Sequence, residues 1–232
     1  MSKKKLLSLS LVVIMIAILS FGTLAWFNDS DSVKNEFHVA TSDDPSDPDD
    51  IFSVDLWEPV DKNEDGVISD DEKEQTGLKF ENILPGATYD KNPTVENTGA
   101  YDQYIRVVVT LSDAQAWMEI LGRGYDLSTI FVGHDEDLWT RSDDSGVKGE
   151  NLVYVYYLDK VLKPDETVAL FTDVKLPTSL TQQQMAKLNG GFELTIRADA
   201  IQTENLGDGV DTAQEAFAAA NWGNYVNAEP QP

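Results

Sequence analysis

The densest ligand chemistry in the chain lies at residues 61–72, which read Asp-Lys-Asn-Glu-Asp-Gly-Val-Ile-Ser-Asp-Asp-Glu. Oxygen donors stand at positions one, three and five of this twelve-residue stretch (Asp61, Asn63, Asp65), glycine at six (Gly66) and glutamate at twelve (Glu72). Calcium takes about six to eight hard oxygens at roughly 2.3–2.6 Å, and this spacing is the one that wraps them around a single ion. Asp61, Asn63 and Asp65 are expected to supply side-chain oxygens, Val67 its backbone carbonyl, Ser69 a direct or water-borne contact, and Glu72 two oxygens. Gly66 permits the tight turn and Ile68 faces inward as the packing residue. The competing reading is a charged surface turn rich in Asp, Asn and Gly. Trp57-Glu58-Pro59 leads in as the end of a strand, with no entering helix. The expected role is therefore an isolated staple with Ca2+ as cofactor, not a paired sensor.

Other catalytic chemistry is sparse. His38 and His134 are the only imidazoles, neither sits in a His-Glu-x-x-His pattern, and there is no cysteine. A zinc site would need carboxylates recruited without a motif. Gly122-Arg123-Gly124 lacks the Lys-Ser that would make a phosphate loop. With 41 Asp and Glu in the chain, two neighbouring carboxylates say little about glycosidase work. Tyr154, Tyr156 and Tyr157 read as core and cross-strand packing first, and as a carbohydrate-binding stripe second.

The elements that must position these residues are strands. Phe52, Val54 and Leu56 alternate with polar neighbours, as do Ile105, Val107, Val109 and Leu111, and again Phe192, Leu194, Ile196 and Ala198. A period of two marks a strand with one face buried. Residues 78–83, 89–96, 151–158 and 167–174 add further strands, separated by Leu84-Pro85-Gly86, Asn97-Thr98-Gly99 and Lys163-Pro164-Asp165-Glu166 turns. Three short helices are expected from capping-box spacing at Ser112 and Gln115, Ser179 and Gln182, and Thr212 and Glu215. Seven or eight alternating strands with short helices in the connections predict an all-β fold, an antiparallel β-sandwich over residues 51–232 with the calcium loop inserted at 61–72.

Ahead of it, Lys3-Lys4-Lys5, an apolar run over 6–21 and Thr23-Leu24-Ala25 describe a secretory signal over 1–25, cut before Trp26. The alternative is an uncleaved anchor. The chain carries 17 basic and 41 acidic residues for a net charge of −24. Loss of the leader removes three of the 17 basic residues and none of the 41 acidic ones, leaving about −27. Such a polyanion repels phosphate backbones, so nucleic acid is excluded as a partner. Residues 26–40 form the mature amino-terminal segment, and 41–50, crowded with Asp and Pro, an acidic linker.

The leader and the turns together carry a resemblance. Gly22-Thr23-Leu24-Ala25-Trp26-Phe27-Asn28-Asp29, then Phe80-Glu81-Asn82-Ile83-Leu84-Pro85-Gly86, Val95-Glu96-Asn97-Thr98-Gly99 and the closing Leu194-Thr195-Ile196-Arg197-Ala198-Asp199 resemble the TasA and camelysin family of exported Gram-positive proteins. That resemblance implies cleavage by a SipW-type signal peptidase, a jelly-roll sandwich, and residence at the cell surface or in the biofilm matrix. It implies self-association in which the segment after Ala25 is donated to the next subunit, with Val33, Phe37 and Val39 as the entering apolar side chains, and other matrix or cell-wall components as further partners. The expected function is an exported, calcium-binding, non-enzymatic structural protein. The alternatives are a surface metalloprotease of the camelysin type, a reading carried by family naming and not by residues, and a soluble carbohydrate-binding or adhesin module.

Overall fold

The computed structural model describes residues 32–33, 53–60, 62, 68–74, 84–122, 125–188, 192–204, 206 and 209–220. Thirteen strands lie among them. The large sheet runs in the order β1 (Ser32–Val33), β13 (Leu194–Gln202), β6 (Gln103–Leu111), β10 (Asn151–Leu158) and β8 (Trp139–Arg141), with β9 (Gly146–Lys148) also on β10. A second sheet orders β11 (Thr167–Ala169), β5 (Thr94–Asn97), β2 (Val54–Pro59) and β3 (Lys73–Glu74). A third holds β4 (Thr88–Asp90), β12 (Asp173–Lys175) and β7 (Phe131–Val132). The helices are α1 (Ala114–Leu121), α2 (Gln182–Met185) and α3 (Ala213–Ala219).

The main core lies between the large sheet and the two smaller ones. Ile105, Val107, Val109 and Leu111 of β6 meet Val54 and Leu56 of β2, Val95 of β5 and Val168 of β11 in one buried cluster, with Trp117 of α1 and Trp139 of β8 in the same mass. The Trp139 indole N–H donates to the Ala169 carbonyl at 2.9 Å and ties β8 to β11. Alternation in β6 thus points one set of side chains inward as expected.

The other set is buried as well. Tyr104 and Val108 of β6, Val153, Val155 and Tyr157 of β10 and Ile201 of β13 form a second apolar cluster, covered by Ala213, Ala216 and Phe217 of α3. Gln103 through Val109 are all buried, which is the burial expected of a strand with layers on both faces. This overturns the expected all-β, jelly-roll-like antiparallel sandwich. The fold is mixed α/β with open sheets, for two physical reasons. A helix closes the outer face of the large sheet where solvent was expected, and the sheet order ends in edges instead of returning on itself. The pairing is not purely antiparallel either, since β1 runs parallel to β13, Ser32 opposite Thr195 and Val33 opposite Ile196.

Two other strands are shorter than the alternation predicts. The segment expected over 89–96 breaks at Lys91-Asn92-Pro93 into β4 and β5, and that expected over 167–174 breaks into β11 and β12. Proline cannot donate to a ladder, so the break falls where Pro93 stands. The turn at Leu84-Pro85-Gly86 is present, with Gly86 at φ 77 and packed so closely on Thr178 that a Cβ there would lie 2.8 Å from its Cγ2. Of the three expected capping boxes, Thr212 with Glu215 forms. The second shifts by two residues to Thr181 with Gln184. The first does not form, because Asp113 at φ 60 precedes α1 and the Ser112 hydroxyl accepts the Glu193 N–H at 2.8 Å instead.

Candidate functional site

The calcium-loop spacing falls on the connection between β2 and β3. These strands pair antiparallel, Glu58 opposite Glu74 and Pro59 opposite Lys73, so the calcium-loop spacing falls between two paired strands. Val60 N–H donates to the Glu72 carbonyl at 2.9 Å and draws the two ends of the loop together. Asp61, Asn63, Asp65 and Val67 lie outside the described residues. Ser69 and Glu72 are described, and they form a capping box around a single 3-10 turn (Asp70–Glu72). Glu72 is 2% exposed, which for an ionised side chain requires partners. Its Oε1 accepts the Lys62 N–H at 2.9 Å, and its Oε2 accepts the Ser69 N–H at 3.0 Å and hydroxyl at 2.6 Å. The carboxylate is therefore turned into the loop from position twelve and spans it to position two. A carboxylate has about four lone-pair sites, of which these hydrogen bonds occupy three, and among the described residues no group of three or more His, Cys, Asp or Glu is placed to hold a metal ion. Ile68 is half-buried.

A charged patch supports the base of this hairpin. Trp57 Nε1–H donates to Glu96 at 2.9 Å, Lys73 Nζ reaches the same Glu96 oxygen at 2.8 Å, and the ammonium lies 5.1 Å from the Trp57 ring centroid. Beneath it, Glu58 and Lys91 contact one another at 0% and 1% side-chain exposure. Burial first, then the nearby Asp90 and Glu74 carboxylates, push the Glu58 carboxyl up to about 8.

The residues of the expected leader cut, Thr23, Ala25 and Trp26, and the expected assembly residues Phe37 and Val39 lie outside the described residues, as does His38. Val33 is described as backbone within β1 on the edge of β13. His134 is tied structurally: its Nδ1 lies 3.0 Å from the Leu170 carbonyl and its ring 4.8 Å from Tyr156. Searches against protein-family models, curated proteins and solved structures return no match. The tyrosines do not make an exposed stripe. Tyr154 and Tyr156 belong to the main core and Tyr157 packs toward Phe217 on the opposite face, at 5%, 2% and 4% exposure.

A second site carries no motif in the sequence. The β8 to β9 segment is one edge strand interrupted by a bulge, in which residues 142–145 stand opposite only Tyr154 and Val155 of β10. Ser142 N–H donates to the Val155 carbonyl at 2.8 Å, and the Ser145 hydroxyl accepts the Val155 N–H at 3.0 Å in place of a backbone carbonyl. Between this bulge, α1 and the 3-10 turn Leu127–Ile130 opens a cleft of about 450 Å³. Asp126 precedes that turn, accepts from the Ser128 N–H at 3.0 Å and hydroxyl at 2.8 Å, and pairs with Arg141 at 2.6 Å. Burial raises the Asp126 carboxyl, but the Arg141 and Ser128 hydrogen bonds outweigh it and hold it below its ordinary value. Burial, with Asp126 beside it, pushes the Tyr154 phenol up to about 12, so it remains a neutral hydroxyl. No single stretch carries this group; α1, the turn and the bulge bring it together.

Proposed function

We propose that this chain is an exported structural protein of the cell surface or biofilm matrix, stapled by calcium in the 61–72 loop and assembled by donation of its amino-terminal strand. The observation that carries this reading is the parallel pairing of Ser32–Val33 with Thr195 and Ile196 at the outer edge of β13. Among the described residues, only Ser32 and Val33 pair with the outer edge of the nine-residue β13, and unpaired backbone on a sheet edge is a template for another strand. Strand addition supplies main-chain hydrogen bonds along the edge and specificity through alternate side chains. The TasA-like leader and turns point the same way. Deleting residues 26–39 is expected to leave a folded monomer that forms no fibres, followed by light scattering and electron microscopy. Fibres of undiminished length from that truncation would reject the assembly.

Calcium gives the loop rigidity that disulfides provide in other exported proteins. Position twelve carries the prediction. Glu72→Ala, and separately Asp61→Ala, should abolish the calcium isotherm in titration calorimetry and remove the calcium-dependent rise in melting temperature. For an extracellular site with Kd of about 10⁻⁴ to 10⁻³ M, calcium at about a hundredfold excess over Kd adds about 2.7 kcal/mol to the parent protein. An isotherm unchanged in both variants would remove these residues from the ligand set.

A further inference from the structure

The outer edge of β13 offers more than a row of backbone groups. Its core-facing side chains shrink along the strand, from Leu194 and Ile196 to Ala198 and Ala200. On the inner side these positions lie opposite Leu111, Val109, Val107 and Ile105 of β6, which stay large throughout. The two alanines fall in the half of β13 beyond Ile196, where among the described residues no strand pairs with the outer edge. Small side chains on the last strand of a sheet leave room for a large one on the strand added next.

The pairing that is present fixes a direction, a register and a face. Ser32 lies opposite Thr195 and Val33 opposite Ile196, in parallel. Carried forward residue by residue, that register sets 34–39, Lys-Asn-Glu-Phe-His-Val, against 197–202. By alternation, positions 33, 35, 37 and 39 of such a strand share the face of Ile196, Ala198 and Ala200, and position 37 falls beside Ala200. The large Phe thus meets the small Ala. A slip of one residue would turn Val33, Phe37 and Val39 to the opposite face. The linker suits a neighbour as recipient. Residues 40–52 carry five Asp and no Lys or Arg, and a charged linker repels itself and extends. Thirteen residues span up to about 45 Å, and a domain of this size is about 40 Å across.

We propose that the β13 edge takes residues 32–39 of a second copy as a parallel strand, in the register of Ser32 with Thr195, and that Ala198 and Ala200 form the notch that selects it by seating Phe37. This rests on the strand donation proposed above and adds its direction, its register and its specificity residues. The donated strand has the same sequence as the chain's own β1, so it replaces that pairing in kind, as an element exchanged between identical subunits. Val39 then comes beside Gln202, where β13 ends.

The chain has no cysteine, so introduced thiols report the register directly. Neighbouring strands lie about 4.7–4.9 Å apart, within the Cα separation of about 4.4–6.8 Å that a disulfide spans. Ser32→Cys is mixed with Thr195→Cys, and separately Val39→Cys with Gln202→Cys; each mixture is assembled under reducing conditions and then oxidised. Each copy carries one thiol, so a mixed disulfide forms only between copies. Linked heterodimers, counted by non-reducing electrophoresis and mass spectrometry, are expected at a yield at least tenfold above that of Ser30→Cys or Lys34→Cys with Thr195→Cys. Those two pairs report slips of two residues, about 6.6 Å along the strand. Phe37→Ala should raise the protein concentration at which fibres form at least tenfold, with a melting temperature within a few degrees of the parent. Fibres in which a slipped pair links best, in which no pair links, or which Phe37→Ala forms at the parental concentration overturn the register and the notch and leave strand donation standing. A parent protein that forms no fibres overturns both.

Discussion

Above about pH 8, where the Glu58 carboxyl is ionised, replacing Lys91 with Ala is expected to lower folding stability by about 3–5 kcal/mol, the cost of leaving one member of a buried ion pair without its partner. Lys91 and Glu58 are 1% and 0% exposed, and the second Glu58 oxygen has no hydrogen-bond partner. The ammonium is thus the main compensation for a carboxylate sealed under the β2–β3 hairpin. Its loss also changes the pH dependence. Burial, with Asp90 and Glu74 next, raises the Glu58 carboxyl from 4.5 to about 8, and the ammonium favours the ionised form. Already in the parent, folded Glu58 keeps a proton that the unfolded chain releases, so its contribution is full below about 4.5 and is lost as pH rises through about 8; without the ammonium the folded carboxyl is pushed further up and the loss at high pH is greater. Urea denaturation at pH 5 and pH 8 should show a deficit relative to the parent that is larger at pH 8. A deficit that shrinks with rising pH would contradict this account. Glu58→Leu with Lys91→Met should recover most of the loss, because well-packed apolar pairs replace buried ion pairs at little or no cost.

The second large effect lies on the opposite side of the large sheet. Asp199, fully buried on β13, accepts Arg106 Nε at 2.8 Å and Arg197 Nη2 at 3.2 Å on the same oxygen, while the Arg106 guanidinium carbon lies 4.5 Å from the Phe217 ring centroid. Arg106 is 3% exposed and Arg197 12%. Asp199→Ala leaves two guanidinium groups facing one another beneath α3, and a loss of about 3–5 kcal/mol is expected in chemical denaturation. Phe217→Ala should add to it less than its own separate cost, because both substitutions act on Arg106 and neighbouring sites are not additive. A loss below about 1 kcal/mol for Asp199→Ala would mean that water, not α3, covers this face.

That face is where the sequence was hardest to read. Tyr104, Arg106 and Asp199 occupy the polar phase of otherwise regular alternations, and a polar phase ordinarily faces solvent. Here the charges satisfy one another across β6 and β13, in register with Arg106 opposite Asp199, and a helix from the far end of the chain closes over them. Pairing between residues 93 positions apart leaves no local trace. The apolar phase was plain: β10 covers Asn151–Leu158 as the alternation indicates, and β6 and β13 lie where their runs of Val, Leu and Ile stand. Capping spacing succeeded at Thr212 and failed at Ser112, whose hydroxyl serves a neighbouring strand. At the candidate site, the contact of Ser69 with Glu72 follows from their three-residue spacing. The cleft does not, since Trp117, Asp126, Arg141 and Ser145 meet only through the packing of α1 against the bulged edge.

The bulge bears on the proposed strand donation between copies of this protein. The two lateral margins of the large sheet are unlike. Along β8 and β9, four residues against two, with a serine hydroxyl standing in for a carbonyl, leave no regular row of donors and acceptors for an incoming chain. Along β13, the described residues pair on the outer side only with Ser32 and Val33. If a strand is donated as proposed, the margin among the described residues that could receive it is that of β13, so growth would be one-sided: each subunit would receive at one margin, the two ends of a chain of subunits would differ, and the bulged margin would resist sideways fusion into a continuous cross-β ribbon.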